Sequence, residues 1–280
     1  MVAFDLDGTV LKRDQTISAP TLHALYKMHR QGAVLVVATG RPLVQIPPVV
    51  WDIEGLDYII SSNGARVTNT KTRQTLCQNP LPKEIAHRVW QVLRDTGCGL
   101  DVMYGEKQAL TVRGALQLYH MLKPHVPRPL AKAFSMVKKA SLTLTGKGAL
   151  ERFDAPIEKL SFLYARPDDA RKNLARVENI PHVEAVSSGG DIEVTAKGVT
   201  KGAGIGFLCR ELGIEKQAVI AFGDSGNDLP MRPFVGMLVA MGDANKAMLQ
   251  HADTVTATVH EDGVAQVLEQ LLRECGVAGA

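Results

Sequence analysis

Apolar residues cluster along this chain in two rhythms. The opening Met1-Val2-Ala3-Phe4, the run AVLVVA at 33–38 and the run AVIAF at 218–222 are short, continuous and rich in Val, Ala and Phe. Strands buried on both faces of a sheet have this character. YIISS at 58–62 and VGMLVAM at 235–241 read the same way. Between such runs the period lengthens to that of a helix. Ser18 is placed as the N-cap of a helix that carries Leu22, Leu25 and Met28 on one side and ends at Gly32. Further helices are predicted around 43–50, after Lys201 and over about 262–274. Strand and helix in alternation predict a parallel sheet with crossover helices. From 82 to 189 the pattern changes to helices such as KEIAHRVWQVLRDTG, interleaved with short alternating strands and proline breaks. The predicted architecture is α/β: a doubly wound parallel core sheet from residues 1–81 and 190–280, with a smaller α/β domain inserted at 82–189. GAGIG at 202–206 opens a helix without the preceding strand and full G-x-G-x-x-G of a dinucleotide loop, so that reading is set aside.

Composition narrows the function classes. A chain of 280 residues fits one large or two ordinary domains, and 45% hydrophobic residues supply a sizeable core. A net charge of +3 is too mild for a nucleic-acid partner. Four cysteines, at 77, 98, 209 and 275, form no C-x-x-C and read as reduced thiols. The N-terminus shows charged Asp5, Asp7, Lys12, Arg13 and Asp14 in place of a signal peptide's apolar segment, and no apolar run reaches about 20 residues. The expectation is a cytoplasmic protein with no membrane partner, its oligomeric state not legible. The eight histidines show no H-E-x-x-H, so a zinc site is not expected. Residues 107–150 hold eight Lys/Arg and no Asp or Glu. That stretch is either an ordinary solvated surface or a field that draws in anionic substrates.

The chemistry begins at FDLDGTV, residues 4–10, where Asp5 and Asp7 stand one residue apart. On a strand, positions i and i+2 share a face about 7 Å apart, so the two carboxylates repel unless a cation or a proton intervenes. The same residues also suit a strand ending in a turn, with Asp7-Gly8 at the bend. Other predicted strands end in similarly polar residues: ATGR at 38–41, SSNGA at 61–65 and AFGDSGND at 221–228. In an open parallel sheet, ligands bind beyond the carboxyl ends of the strands. Acids at 5, 7, 224 and 228, with Thr39 and Lys201, jointly make a site for Mg²⁺ and phosphate.

These four segments, in this order, resemble the haloacid dehalogenase superfamily of phosphatases, whose core is a Rossmann-like sheet. The insertion between SSNGA and VTKGAGI, and the ending MGDANKAMLQHADTVTATVHEDGVAQVL, resemble the Cof-like branch with its C2-type cap. The resemblance implies a Mg²⁺-dependent phosphatase for a small phosphorylated metabolite, a sugar phosphate or a phosphorylated cofactor. It implies Asp5 as nucleophile and metal ligand, and Asp7 as general acid and base whose main-chain carbonyl also meets the metal. Asp224 would be the third metal ligand, Asp228 its orienting neighbour, and Thr39, Lys201 and Asn227 the phosphate contacts. Arg41 and the Ser62-Asn63-Gly64 turn would line the substrate entrance. Two departures stand out: only four residues precede Asp5, and Asp243 occupies a place where the branch often has Asn. A phosphomutase would use the same intermediate. A receiver-like switch also has an acceptor Asp, an acidic metal site and a lysine, but has no use for Asp7 or for a cap of about 100 residues.

Overall fold

The computed structural model describes residues 1–105, 107–122, 141–143, 150, 156–187 and 190–276. The basic stretch 107–150 therefore lies largely outside the described residues. Tertiary contacts divide the chain into two compact units: 1–40, 46–76 and 201–280 form one, and 41–45 with 77–200 form the other.

In chain order the strands are β1 Val2–Phe4, β2 Leu35–Ala38, β3 Leu56–Ser61, β4 Arg66–Asn69, β5 Thr75–Gln78, β6 Gly99–Tyr104, β7 Lys107–Thr111, β8 Ser141–Thr143, β9 Ile157–Leu163, β10 Val183–Val186, β11 Asp191–Ala196, β12 Ile220–Gly223, β13 Met237–Ala240 and β14 Thr254–Val255. The core sheet runs β14-β13-β12-β1-β2-β3-β4-β5. From β14 to β3 its pairs are parallel, and β4 joins β3 antiparallel. Every residue of β1, β2 and β12 is buried, which is why their sequences are apolar without alternation. The first helix, Ala19–Arg30, starts where predicted, with the Thr21 N–H donating to Ser18 Oγ at 3.3 Å.

Two local expectations change. The helix expected over 43–50 is instead a 3-10 turn, Leu43–Gln45, and a short helix, Pro48–Trp51. Pro47 and Pro48 break it, because a proline ring fixes φ and removes the N–H that a continuous helix needs, while suiting a helix's first positions. The antiparallel β4 and edge strand β5 were not anticipated.

The glycines of GAGIG have a packing role. They sit on the helix Lys201–Leu212, where a Cβ at Gly202 would overlap the Pro230 carbonyl. At Gly206 it would lie 2.5 Å from Phe234 Cδ1, and at Gly204 2.6 Å from Ile60 Cγ2. Their absent side chains let the helix lie close against residues 229–234 and β3.

The second unit is a cap built on the sheet β10-β11-β9-β6-β7-β8, antiparallel except between β7 and β8. One face alternates Leu100, Val102, Leu160, Phe162, Ile192 and Val194 into a core shared with Val89, Trp90 and Leu93 of the helix Lys83–Leu93. The Trp90 and Phe162 rings stack there with centroids 6.3 Å apart. The residues between them in sequence, Asp101, Ser161 and Glu193, stand in one row across β6, β9 and β11 on the opposite face. All four cysteines are free, and among the described residues no helix is long and apolar enough to cross a membrane.

Candidate active site

The site grows from the carboxyl ends of β1, β2, β3 and β12 in the core unit. β1 stops at Phe4, and its hydrogen-bonding pattern continues for one residue, the Asp5 N–H donating to the Phe222 carbonyl at 3.0 Å. The chain then coils tightly around one acceptor. The Leu6 carbonyl takes N–H groups from Thr9, Val10 and Leu11 at 3.2, 3.1 and 2.8 Å. Gly8 turns with φ +78°, and a Cβ there would lie 2.5 Å from Asp224 Oδ2, so conformation and contact both demand glycine. This coil alters the strand argument for the two acids. Asp5 is buried at 5% exposure whereas Asp7 sits on the coil and is exposed. They are not neighbours on one strand face, although Asp7 is close enough to Asp224 to raise its pKa.

Lys201, the first residue of its helix, places its ammonium between two carboxylates, 2.8 Å from Asp5 Oδ1 and 2.7 Å from Asp228 Oδ1. Its side chain is 1% exposed. Burial by itself would lower the ammonium's pKa, but Asp228 and Asp5 overcome that and hold it above its ordinary value. Asp228 is fully engaged. Its Oδ2 accepts the N–H groups of Asp224 and Ser225 at 3.1 and 3.0 Å while Oδ1 holds Lys201. Gly223 is required beneath it, since a Cβ there would collide with the Asp228 carboxyl.

Asp5, Asp224 and Asp228 each offer an oxygen, the three lying within 4.8 Å of one another. Burial pushes Asp5 well above the usual carboxylate range; Lys201 opposes the rise, and Asp228 and Asp224 add to it. Asp224 is pushed up to about 7, first by burial and then by Asp228, with Asp243 and Asp7 adding and Lys201 relieving. One lysine therefore does not neutralise the acids gathered around it. Hard carboxylate oxygens gathered this closely, and short of positive charge, are the donor type that Mg²⁺ prefers.

Thr39, at the end of β2, is 1% exposed, and its main chain bridges two elements. Its N–H donates to the Ile60 carbonyl at 2.8 Å and its carbonyl accepts the Asn63 N–H at 3.1 Å. Ser62, Asn63 and Gly64 follow β3 with φ of +51°, +56° and +102°. Asn227 Nδ2 donates to Asn63 Oδ1 at 3.2 Å, joining this turn to the GDSGND loop. Arg41 groups with the second unit, where its guanidinium donates to the Gln45 carbonyl at 3.2 Å. Sequence reasoning missed Asn245, whose N–H donates to the Asp224 carbonyl at 2.8 Å while its side chain caps the helix Lys246–His251. The pattern D-A-N-K-A-M carried that cap signal.

A profile of the haloacid dehalogenase-like hydrolases matches residues 2–268. The chain is 29% identical to the 5-amino-6-(5-phospho-D-ribitylamino)uracil phosphatase YitU of Bacillus subtilis, over 96% of each chain. It is 27% identical to the HMP-PP phosphatase of Serratia proteamaculans, over 98% of this chain and 95% of that one. Among solved structures, a haloacid dehalogenase-like hydrolase from B. subtilis superposes with a TM-score of 0.84 at 25% identity, covering 97% of this chain and 99% of that one. A subclass IIB sugar phosphatase of the superfamily shares the fold with a TM-score of 0.78 at 23% identity, covering 96% and 98%. One profile over nearly the whole chain, with a core sheet and an inserted cap of matching architecture, places the protein: it belongs to the haloacid dehalogenase-like hydrolases, as a phosphatase of the Cof-like branch.

Proposed function

We propose that this chain hydrolyses a small phosphorylated metabolite, a sugar phosphate or a phosphorylated cofactor, in a Mg²⁺-dependent reaction that passes through an aspartyl-phosphate on Asp5. The observation that carries the reading is the buried Lys201 ammonium set between Asp5 and Asp228, with Asp224 beside them. A buried carboxylate that one cation holds in place is a pre-positioned nucleophile, and the charge around it suits a phosphoryl group once a divalent ion joins the lysine. Asp5 and Asp224 would hold the ion, with the Asp7 main-chain carbonyl. When bound, it supplies Lewis-acid neutralisation of the phosphoryl oxygens. Asp228 would orient rather than ligate, since its oxygens already serve Lys201, Asp224 and Ser225.

In the first step an Asp5 oxygen forms a bond to phosphorus as the bond to the leaving oxygen breaks, and Asp7 gives its proton to that oxygen. In the second, Asp7 takes a proton from water, the resulting hydroxide bonds to phosphorus, and the Asp5–phosphorus bond breaks to release phosphate. Asp7 leaves the first step as the carboxylate that the second needs, and its exposure gives it access to the attacking water. Lys201, the Thr39 turn and the Asn227 amide hold the phosphoryl oxygens. The relatives named above support the substrate class, since both act as phosphatases on small phosphorylated compounds. A panel of phosphorylated metabolites with Mg²⁺, scored by released phosphate, tests the proposal. Turnover that vanishes in Asp5→Asn supports it, and turnover that survives that change refutes it.

A further inference from the structure

We propose that Asn63 is a positioning residue that holds the Asn227 amide and the Thr39 turn in one frame, an inference that rests on the functional reading above. Two demands meet at position 63. The backbone there is left-handed at φ +56°, between Ser62 at +51° and Gly64 at +102°, and its N–H donates to the Thr39 carbonyl at 3.1 Å. The side chain offers a carbonyl oxygen, Oδ1, which accepts from Asn227 Nδ2 at 3.2 Å. At its other end Asn227 Oδ1 accepts from Ser225 Oγ at 2.7 Å. With its nitrogen toward Asn63 and its oxygen toward Ser225, the Asn227 amide is held at both ends, which fixes the direction of its second N–H. Ser225 in turn donates its N–H to Asp228 Oδ2 at 3.0 Å, and Asp228 Oδ1 holds Lys201 at 2.7 Å. A continuous set of hydrogen bonds therefore runs from the turn after β3 to the lysine that holds Asp5.

The residue type follows from the two demands. Asparagine is the commonest non-glycine residue in left-handed backbone, and it also carries a neutral acceptor. Glycine satisfies the backbone alone, aspartate adds a negative charge where a phosphoryl group would approach, and alanine satisfies neither. Three variants therefore separate the roles. Asn63→Gly should retain the wild-type melting temperature, lower kcat by about two- to tenfold, the range one ordinary hydrogen bond gives, and leave KM unchanged. Orthovanadate affinity, measured calorimetrically with Mg²⁺, should fall by the same factor. Asn63→Asp should keep kcat closer to wild type and raise KM. Asn63→Ala should show the kcat loss of Asn63→Gly together with a lower melting temperature. Hydrogen exchange at the Asp224 and Ser225 amides should quicken in Asn63→Gly, a readout independent of turnover. Wild-type kcat, vanadate affinity and exchange in Asn63→Gly would overturn the proposal and leave Asn63 as a turn residue. That result with an inactive Asp5→Asn would leave the functional reading standing, whereas an active Asp5→Asn would overturn the functional reading itself.

Discussion

Replacing Asp224 by asparagine should strengthen the metal-free fold and remove its response to Mg²⁺. Burial, then Asp228, Asp243 and Asp7, against relief from Lys201, carry this carboxyl from an ordinary 3.8 up to about 7. Its folded pKa lies above its unfolded one, so between about pH 4 and pH 7 the native state binds more protons than the unfolded state. Stability accordingly falls as pH rises through that window, and the penalty is fully present above about pH 7. Three units at about 1.4 kcal/mol each set a ceiling of about 4 kcal/mol. Asp224 keeps part of its surface in solvent, and screening there reduces the expectation to about 1–3 kcal/mol. Asp224→Asn keeps the size of the side chain without the charge. In EDTA at pH 8 it should melt above wild type, at about 2–4 °C per kcal/mol for a protein of this size, and the two proteins should converge below about pH 4, where the carboxyl is protonated in both states. Mg²⁺ at a hundred times its dissociation constant should stabilise wild type by about 2.7 kcal/mol and the variant by far less. Thermal unfolding by circular dichroism at the two pH values, with EDTA or Mg²⁺, measures all four quantities. A variant no more stable than wild type at pH 8 in EDTA, or one that gains as much from Mg²⁺, would refute the reasoning.

Asp5→Asn should abolish phosphate release while leaving the far-ultraviolet spectrum unchanged, whereas Asp7→Asn should lower kcat by about 10² or more through loss of both proton transfers. Lys201→Met should cost about 3–5 kcal/mol in chemical denaturation at pH 8, because it strands the buried carboxylates of Asp5 and Asp228 without their cation; an unchanged midpoint would show that the ion pair contributes nothing to the fold. Activity removed by EDTA should return with Mg²⁺ and return poorly with Ca²⁺, whose bonds are longer and whose coordination is looser. Equal recovery with both ions would contradict an octahedral site.

What the sequence made legible follows the range of the forces involved. AVLVVA and AVIAF identify themselves because a strand covered on both faces needs apolar residues at every position, a local and one-dimensional constraint. The helix after Ser18 is equally local, a cap followed by a periodic stripe. The β4 and β5 segments, RVTN and TLCQ, carry four residues each with mixed polarity, too short for a period to emerge. For 43–50 the apolar content spoke for a helix and Pro47-Pro48 spoke against it; the prolines prevailed, because a missing N–H and a fixed φ are not offset by side-chain packing.

The acids divide along the same line. DLDGT and GDSGND display their carboxylates openly, and the structure gathers Asp5, Asp224 and Asp228 around Lys201. The environments of Asp5 and Asp7 were hidden in the backbone, where one carbonyl, Leu6, collects three N–H groups and turns the second acid out to solvent. A strand period assigns both acids to one face; the coil gives one a buried, ion-paired setting and the other an exposed one. That division suits the two-step phosphoryl transfer proposed above. A nucleophile gains from being desolvated and held, and a proton carrier gains from access to water. Glycine at position 8 connects the two facts, since its left-handed φ permits the coil and its missing Cβ leaves room for Asp224 Oδ2. Gly8→Ala should therefore damage both at once: a strained backbone at φ +78° and a methyl group 2.5 Å from a carboxylate oxygen would displace Asp7 and Asp224 together. The expected outcome is a raised Mg²⁺ requirement and a lowered kcat in the same variant, read from metal titrations of turnover, and a change in one without the other would separate what the geometry joins.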